Sequence, residues 1–315
     1  PRAGGALQLQ AIRIVDGVHL DGRLDEPVWE TADSISDFRQ REPVEGARST
    51  ERTVVKLARD QEALYIGVRS YDSDIQGIRA TQLRRDADLE VDDNITLLID
   101  SFHDRRSGFV FRTNPNGAMW DAQFSGVDDA NENWNGIWEV AVARDWAGWS
   151  AEFRIPFRTL RFRAAGDGVF GFNVQRFIRR KNEVSLWRGW GRAEGIYRLI
   201  YEGEIGGFED LHRGRDLEIK PYVLGRATAT EHDALGNGLG GGGVTGRAGL
   251  DAKLALLPTV TADLTVNTDF AQVEVDQQVI NLTRLPTFFP EKRDFFLESS
   301  GLFDFASPGR VQPFY

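Results

Sequence analysis

No cysteine occurs in the 315 residues. Disulfides, zinc-thiolate sites, thiol nucleophiles and lipid anchoring through cysteine are therefore excluded. Histidine is scarce: His19, His103, His212 and His232 stand far apart, form no metal-spaced pair such as H-E-x-x-H, and read as surface or turn residues. No stretch approaches the ~18 consecutive apolar residues of a spanning helix, so no transmembrane helix is expected. Positive charge is in deficit. A formal net charge of −10 and a pI near 5.1 oppose attraction to phosphates or anionic lipid, so nucleic acid is not an expected partner. The basic cluster Arg176-Phe177-Ile178-Arg179-Arg180-Lys181 is interrupted by apolar residues at strand spacing and reads as a solvated strand face. No G-x-S-x-G elbow, P-loop or dinucleotide fingerprint sits in a suitable strand and helix context. The chain reads as a non-catalytic protein; a hydrolase would need two carboxylates about 5 to 10 Å apart, a distance that sequence does not contain.

What is present is alternation. From Thr53 to about Gly206, short segments of period two follow one another between turn residues, the pattern of an all-β sandwich. Thr53 to Arg59 and Ala63 to Arg69 flank Asp60-Gln61-Glu62 and predict a hairpin. Ile95, Leu97 and Ile99 share one face of a strand, and Phe109 to Arg112 predict the next after the charged turn Asp104 to Gly108. Trp138, Val140 and Val142 share a face, as do Trp149, Ala151, Phe153 and Ile155, while Ser150, Glu152 and Arg154 point the other way, toward water or a partner. Pro156 to Leu160 predicts a turn or short helix, and Phe170 to Arg179 a further strand. Pro27 to Ala32, opened by proline, predicts one or two helical turns whose Trp29 plugs an end of the sandwich.

A boundary falls near Gly206 to Asp216, giving a sandwich over 8–210 and an extension over 211–315. Leu217 to Thr230 reads as a long strand. Gly236 to Gly249 holds eight glycines in fourteen positions and reads as a flexible connector. Val260, Ala262, Leu264 and Val266 alternate with polar residues, as outer-membrane barrel strands also do. Three or four such candidates do not close a barrel, so the extension is expected either to begin one or to dock on a partner. The fold class expected is all-β: a two-sheet antiparallel jelly-roll-like sandwich with a β-rich, Gly-rich C-terminal extension. A start on Pro1 rather than Met fits an exported protein whose signal peptide has been removed.

Several motifs in order carry a family likeness: Asp21-Gly22-Arg23-Leu24-Asp25-Glu26-Pro27-Val28-Trp29, Glu62 to Val68, Asp92-Asp93-Asn94-Ile95, Asn114-Pro115-Asn116-Gly117, and Gly148 to Phe157. Together they resemble the family 9 carbohydrate-binding-module-like domain. The likeness covers roughly Leu20 to Gly206, and it implies a jelly-roll-like sandwich, in some members with structural calcium, and glycan binding. Asn267 to Glu274 and Phe288 to Glu298 resemble the uncharacterised bacterial family in which such a module precedes an outer-membrane β-barrel.

Sugar recognition needs an aromatic face and planar hydrogen-bonding groups. Trp120 beside Asp121, preceded by Arg112 and Asn114, supplies both, and Trp134 in a polar loop is a second candidate platform. Calcium takes six to eight oxygens, and the candidate ligands are Asp128, Asp129 and Asn131 in one loop and Asp92 and Asp93 in another. No other cofactor is expected. Phe288, Phe289, Phe295 and Phe296 around a charge cluster are the candidate interface. The leading expectation is a non-catalytic exported binding protein of the bacterial cell envelope, periplasmic or outer-membrane-associated, with glycan as ligand. The alternative is a structural accessory subunit docked on the periplasmic face of a membrane-protein complex, with no sugar binding.

Overall fold

The computed structural model describes residues 9–15, 17–125, 130–132, 134–160, 162, 168–211, 217–228, 243–257 and 260–267. In chain order the elements are β1 (Leu9–Gln10), β2 (Ile12–Arg13), α1 (Pro27–Thr31), β3 (Ser34–Ile35), β4 (Arg39–Glu42), β5 (Thr53–Arg59), β6 (Ala63–Tyr71), β7 (Asn94–Asp100), β8 (Ser107–Thr113) and β9 (Met119–Ser125). They continue with β10 (Ala130–Asn131), β11 (Glu139–Asp145), β12 (Gly148–Pro156), α2 (Phe157–Leu160), β13 (Phe170–Ile178), β14 (Glu183–Leu186), β15 (Gly203–Gly206), β16 (Leu217–Thr228), β17 (Gly243–Leu257) and β18 (Val260–Val266).

The first sixteen of these strands other than β16 make two sheets. One runs β1-β15-β13-β7-β8-β9-β10, with β14 and β4 added alongside β13; the other runs β11-β12-β6-β5-β2, with β3 on β5. Pairing is antiparallel except where β1 meets β15 and β2 meets β5. The register of β5 on β6, Thr53 opposite Ser70 through Arg59 opposite Leu64, is that of the expected hairpin. Because side chains alternate across a strand, one set from each sheet meets in the middle: Val55, Leu57, Ile66, Val68, Trp149 and Phe153 from one, Ile95, Leu97, Phe111, Phe172 and Val174 from the other. Each such side chain taken fully out of water contributes about 1.5–3 kcal/mol, so this layer drives the fold.

The nine-stranded sheet is also buried on its other face. Leu98, Val110, Trp120, Ala122 and Phe124 pack there under Leu89, Ile196 and Leu199. Leu98 shares this face with Thr96 and Asp100, and the loops before β7 and after β14 cover it.

The basic cluster differs from its sequence reading. Arg176 is 1% exposed, not solvated: it leaves β13 on the inner side and donates to the backbone oxygens of Arg52 (3.1 Å) and Tyr71 (2.7 Å) and to Thr53 Oγ1 (3.2 Å) in the facing sheet. Arg180 bonds Asp72 (2.6 Å) and Glu51 (3.1 Å), and Lys181 bonds Glu51 (2.6 Å). A charge at this position stays in the protein because acids from both sheets surround it.

Residues 217–267 form a separate unit, a three-stranded antiparallel sheet in the order β16-β17-β18. The glycine-rich stretch read as a connector enters β17 from Gly243 onward. Tyr222 lies opposite Gly249 in this sheet, and its hydroxyl donates to the Asn267 oxygen at 2.6 Å. Small residues in β17 leave the ring that path.

Candidate functional site

On the outer face of the six-stranded sheet, the Asp21 to Thr31 segment lies down as a strap. Its anchor is Glu152 of β12, which is fully buried although its alternation points it away from the core. Glu152 accepts the indole N–H of Trp29 (2.8 Å) and the backbone N–H groups of Gly22 (2.9 Å) and Asp21 (3.0 Å), and Ser150 Oγ donates to the Gly22 oxygen (2.6 Å). Trp29 thus packs flat on the sheet among Ala58, Ala63 and Tyr65, not at the end of the sandwich. It fits because Gly67 lies beneath: a Cβ there would stand 2.8 Å from Leu24 and 3.2 Å from the indole. Burial pushes the Glu152 carboxyl up to about 7, against the hydrogen bonds from Trp29 and Gly22 that favour its charge.

Between this strap and the hairpin of β11 and β12 opens a cleft of about 750 Å3, within the range of roughly 300–1,000 Å3 usual for small-ligand sites. Trp29, Leu24, Val54 and Ala143 form its apolar part, and Ser34, Ser150, Tyr71 and seven charged side chains form the rest. Arg69 donates to Asp145 at 2.5 Å, and that hydrogen bond holds the Asp145 carboxyl below its usual range. The guanidinium groups of Arg52 and Arg69 lie over the Tyr71 ring, at 5.4 and 5.2 Å from its centroid. Asp145 pairs with Gly148 across the hairpin, so Trp146 and Ala147 make the turn, and Trp146 is 89% exposed. Sequence reasoning passed over Trp146. The signal was there: Asp145-Trp146-Ala147-Gly148 separates two alternating runs and places this tryptophan at a tip, where no core can receive it.

The residues singled out from sequence are placed elsewhere. Arg112 and Trp120 are brought together on the covered outer face of the nine-stranded sheet, the guanidinium 4.7 Å from the indole centroid. Arg112 also donates to Thr96 Oγ1 (2.9 Å) and the Tyr197 hydroxyl (3.2 Å). Asp121, one residue on, projects to the opposite face, where it is bonded to Arg85 and to Gly136 N (2.5 Å). Asn114 donates to the Gln82 oxygen and Asp92, and accepts from Asn116 N and Ala118 N. Trp134 packs partly buried against the core, 5.0 Å from Phe109 between ring centroids. Packing partners therefore surround all five.

Asp92 accepts from Thr81 N and Oγ1, Gln82 N and Asn114 Nδ2, all within 2.9 Å; burial opposes its charge, and these bonds outweigh it and keep its pKa low. Its oxygens face N–H and O–H donors, an arrangement unlike a calcium ligand. Asp93 is buried and pushed up to about 6, with Arg179 N donating to it at 3.0 Å. Asn131 lies on β10, and Asp128 and Asp129 lie outside the described residues, as do Phe288, Phe289, Phe295 and Phe296. Among the described residues no group of three or more acidic, histidine or cysteine side chains is placed to hold a metal ion.

Residues 20–196, more than half of the chain, match the family model described as carbohydrate family 9 binding domain-like. Residues 216–307 match a domain of unknown function, DUF5916. No curated protein matches the chain. Among solved structures, a family 9 carbohydrate binding module from Caldicellulosiruptor kristjanssonii in complex with cellotriose is 15% identical, with a TM-score of 0.44 over 62% of this chain and 92% of that one. The module from that organism in complex with glucose is 17% identical, with a TM-score of 0.44 over 62% and 94%. A candidate carbohydrate-binding protein from Bacteroides uniformis is 10% identical, with a TM-score of 0.50 over 63% of this chain and 97% of that one, a likeness that bears on the fold alone.

Proposed function

The chain belongs to the carbohydrate family 9 binding domain-like family, and from that membership we propose that its sandwich is a non-catalytic glycan-binding module of an exported protein of the bacterial cell envelope. One observation carries the choice of site: Trp146, 89% exposed, follows in the chain directly on Asp145, which lines the 750 Å3 cleft. An indole held in water on a tight turn contributes nothing to the core, and its face suits the C–H side of a sugar ring. The guanidinium and carboxylate groups beside it suit the hydroxyls. Binding without turnover fits the ionisation pattern. Glycoside cleavage needs a carboxyl that keeps its proton near neutrality, and the carboxyls that burial raises (Glu152, Glu202, Asp93, Asp100 and Asp121) are all buried and none lines the cleft. Calorimetric titration against a panel of oligosaccharides tests the reading. Trp146→Ala is expected to weaken binding about tenfold, the ~1.4 kcal/mol scale of one aromatic contact, with thermal stability unchanged. Undiminished binding by that variant removes Trp146 from the site.

A second reading, a structural accessory subunit docked on the periplasmic face of a membrane-protein complex, is favoured by the sheet of β16 to β18. Register places Ile219, Ala252 and Leu264 in one row and Pro221, Leu250 and Val266 in the next, on one face. Ile219, Val223, Leu264 and Val266 are all about half exposed or more. A contiguous apolar face of this kind suits lipid or a hydrophobic partner. Fractionation of cells producing the protein tests this: release of all the chain with the soluble periplasmic contents counts against it.

A further inference from the structure

The cleft carries a charge opposite to that of the chain. Five basic side chains, Arg23, Arg52, Lys56, Arg69 and Arg144, line it against two carboxylates, Asp25 and Asp145, in a protein of formal charge −10. The Arg69–Asp145 pair cancels one of each. Among the described residues Lys56 and Arg144 meet only neutral acceptors, the Trp29 oxygen for the first and the Pro115 oxygen (3.1 Å) and Asn116 Oδ1 (2.7 Å) for the second, so their charges stay uncompensated there. Arg23 and Arg52 are exposed, and among the described residues neither guanidinium has a carboxylate partner.

The aromatic side of the lining points the same way. The Trp29 ring is 2% exposed, with its N–H given to Glu152. The Tyr71 ring lies under Arg52 and Arg69. The first is covered and the second carries guanidinium groups, so stacking on a neutral ring is left to Trp146, which follows the lining residue Asp145 in the chain. The interior offers guanidinium edges instead. Arg52 is oriented by its stacking on Tyr71, and the strap, whose turn is fixed through Asp21, Gly22 and Glu152, holds the Arg23 backbone at the cleft. A planar fork held in advance matches a planar carboxylate and forms charge-assisted bonds with little further loss of freedom. The surrounding negative field is screened within about 8 Å at physiological salt, so the local excess of positive charge decides what enters.

Resting on the reading of this cleft as a glycan site, we propose that its ligand is an acidic saccharide, a chain bearing uronate carboxylates, received by Arg23 and Arg52. The experiment is calorimetric titration of the 315-residue chain with trigalacturonate and with cellotriose, at low salt (about 50 mM) and high salt (about 500 mM). Trigalacturonate is expected to bind at least about tenfold more tightly than cellotriose at low salt, with the advantage shrinking at high salt. Arg23→Gln with Arg52→Gln removes the advantage at an unchanged melting temperature, and Arg23→Lys with Arg52→Lys restores the salt-dependent part alone. Equal or tighter binding of cellotriose overturns the charge assignment and leaves the glycan reading standing. Silence toward both saccharides overturns the glycan reading together with this inference. A trigalacturonate preference that survives the glutamine pair in a folded chain overturns the assignment to this cleft, and binding of inorganic sulfate without trigalacturonate marks a bare anion site and overturns the saccharide.

Discussion

Buried carboxyls in this sandwich divide into those that organise a neighbour and those that keep a proton. Glu152 is of the first kind, gathering three N–H donors from the strap. Glu202 is of the second: burial first, and the Asp100 carboxylate beside it second, push it up to about 9, while burial also raises Asp100. A carboxyl raised in the folded state binds a proton that the unfolded chain has already lost. Its stabilising contribution is complete below the unfolded value near 4.5 and disappears as pH rises through about 9. Glu152 at about 7 and Asp93 at about 6 lose most of their protons by pH 8, so Glu202 at about 9 contributes to the slope beyond them. Between about pH 8 and 9 the unfolding free energy is expected to fall by about 1.4 kcal/mol per pH unit, and Glu202→Gln to flatten it. Urea unfolding at three pH values checks this, and a slope equal to wild type in the variant refutes the assignment.

At the scale of elements, the strap and the β11–β12 hairpin build the cleft between them, and they are held differently. The strap depends on Gly22. Its φ is +83°, and a Cβ would stand 2.3 Å from the Val142 carbonyl carbon, a backbone atom that cannot swing away. Gly22→Ala is expected to cost about 2 kcal/mol or more and to release the strap, together with the Trp29 wall of the cleft. The check is a fall in the urea midpoint accompanied by loss of oligosaccharide binding; a variant that keeps both shows that the strap is not what positions the site. The hairpin tip tolerates change, because Trp146 touches no core, which is why its replacement separates binding from stability.

Across the whole molecule the two sheets are joined by apolar packing and, at one end, by charge. Arg176 reaches from β13 to the edges of β5 and β6, and Asp72 lies 3.5 Å from it. Burial lowers its pKa to about 10, and Asp72, Asp93, Glu51 and Glu183 pull the other way, so it stays charged at neutral pH. Arg176→Ala takes the counter-charge from buried Asp93 and leaves Asp72 with Arg180 alone, an expected loss of about 3–5 kcal/mol. For a domain of this size that lowers the melting temperature by about 10 °C, measurable by calorimetry. A shift below about 2 °C shows that the packed aromatics alone carry the junction.

Period-two hydrophobicity was enough to place the hairpin of β5 and β6 and the strands at Asn94, Ser107, Glu139, Gly148 and Phe170, because alternation is a property of a few consecutive residues, and an opening proline placed the short helix at Pro27. The β17 strand was hidden, since its glycines carry no side-chain pattern to read. Charge in a strand was misleading at Arg176 for a different reason: sequence shows that a side chain is ionised, and only the facing sheet shows whether it meets water or acids. The site was least legible of all. Trp120 and Trp134 stand among polar neighbours in sequence and are packed in space, whereas the cleft is assembled from the strap, β5, β6 and the β11–β12 hairpin. Its central contact, Trp29 with Glu152, spans 123 residues. The chain's own pattern therefore determined the two sheets and their inner faces. Tertiary structure decided which tryptophan is left in water and which guanidinium groups remain without a partner, because both depend on what distant segments come to cover.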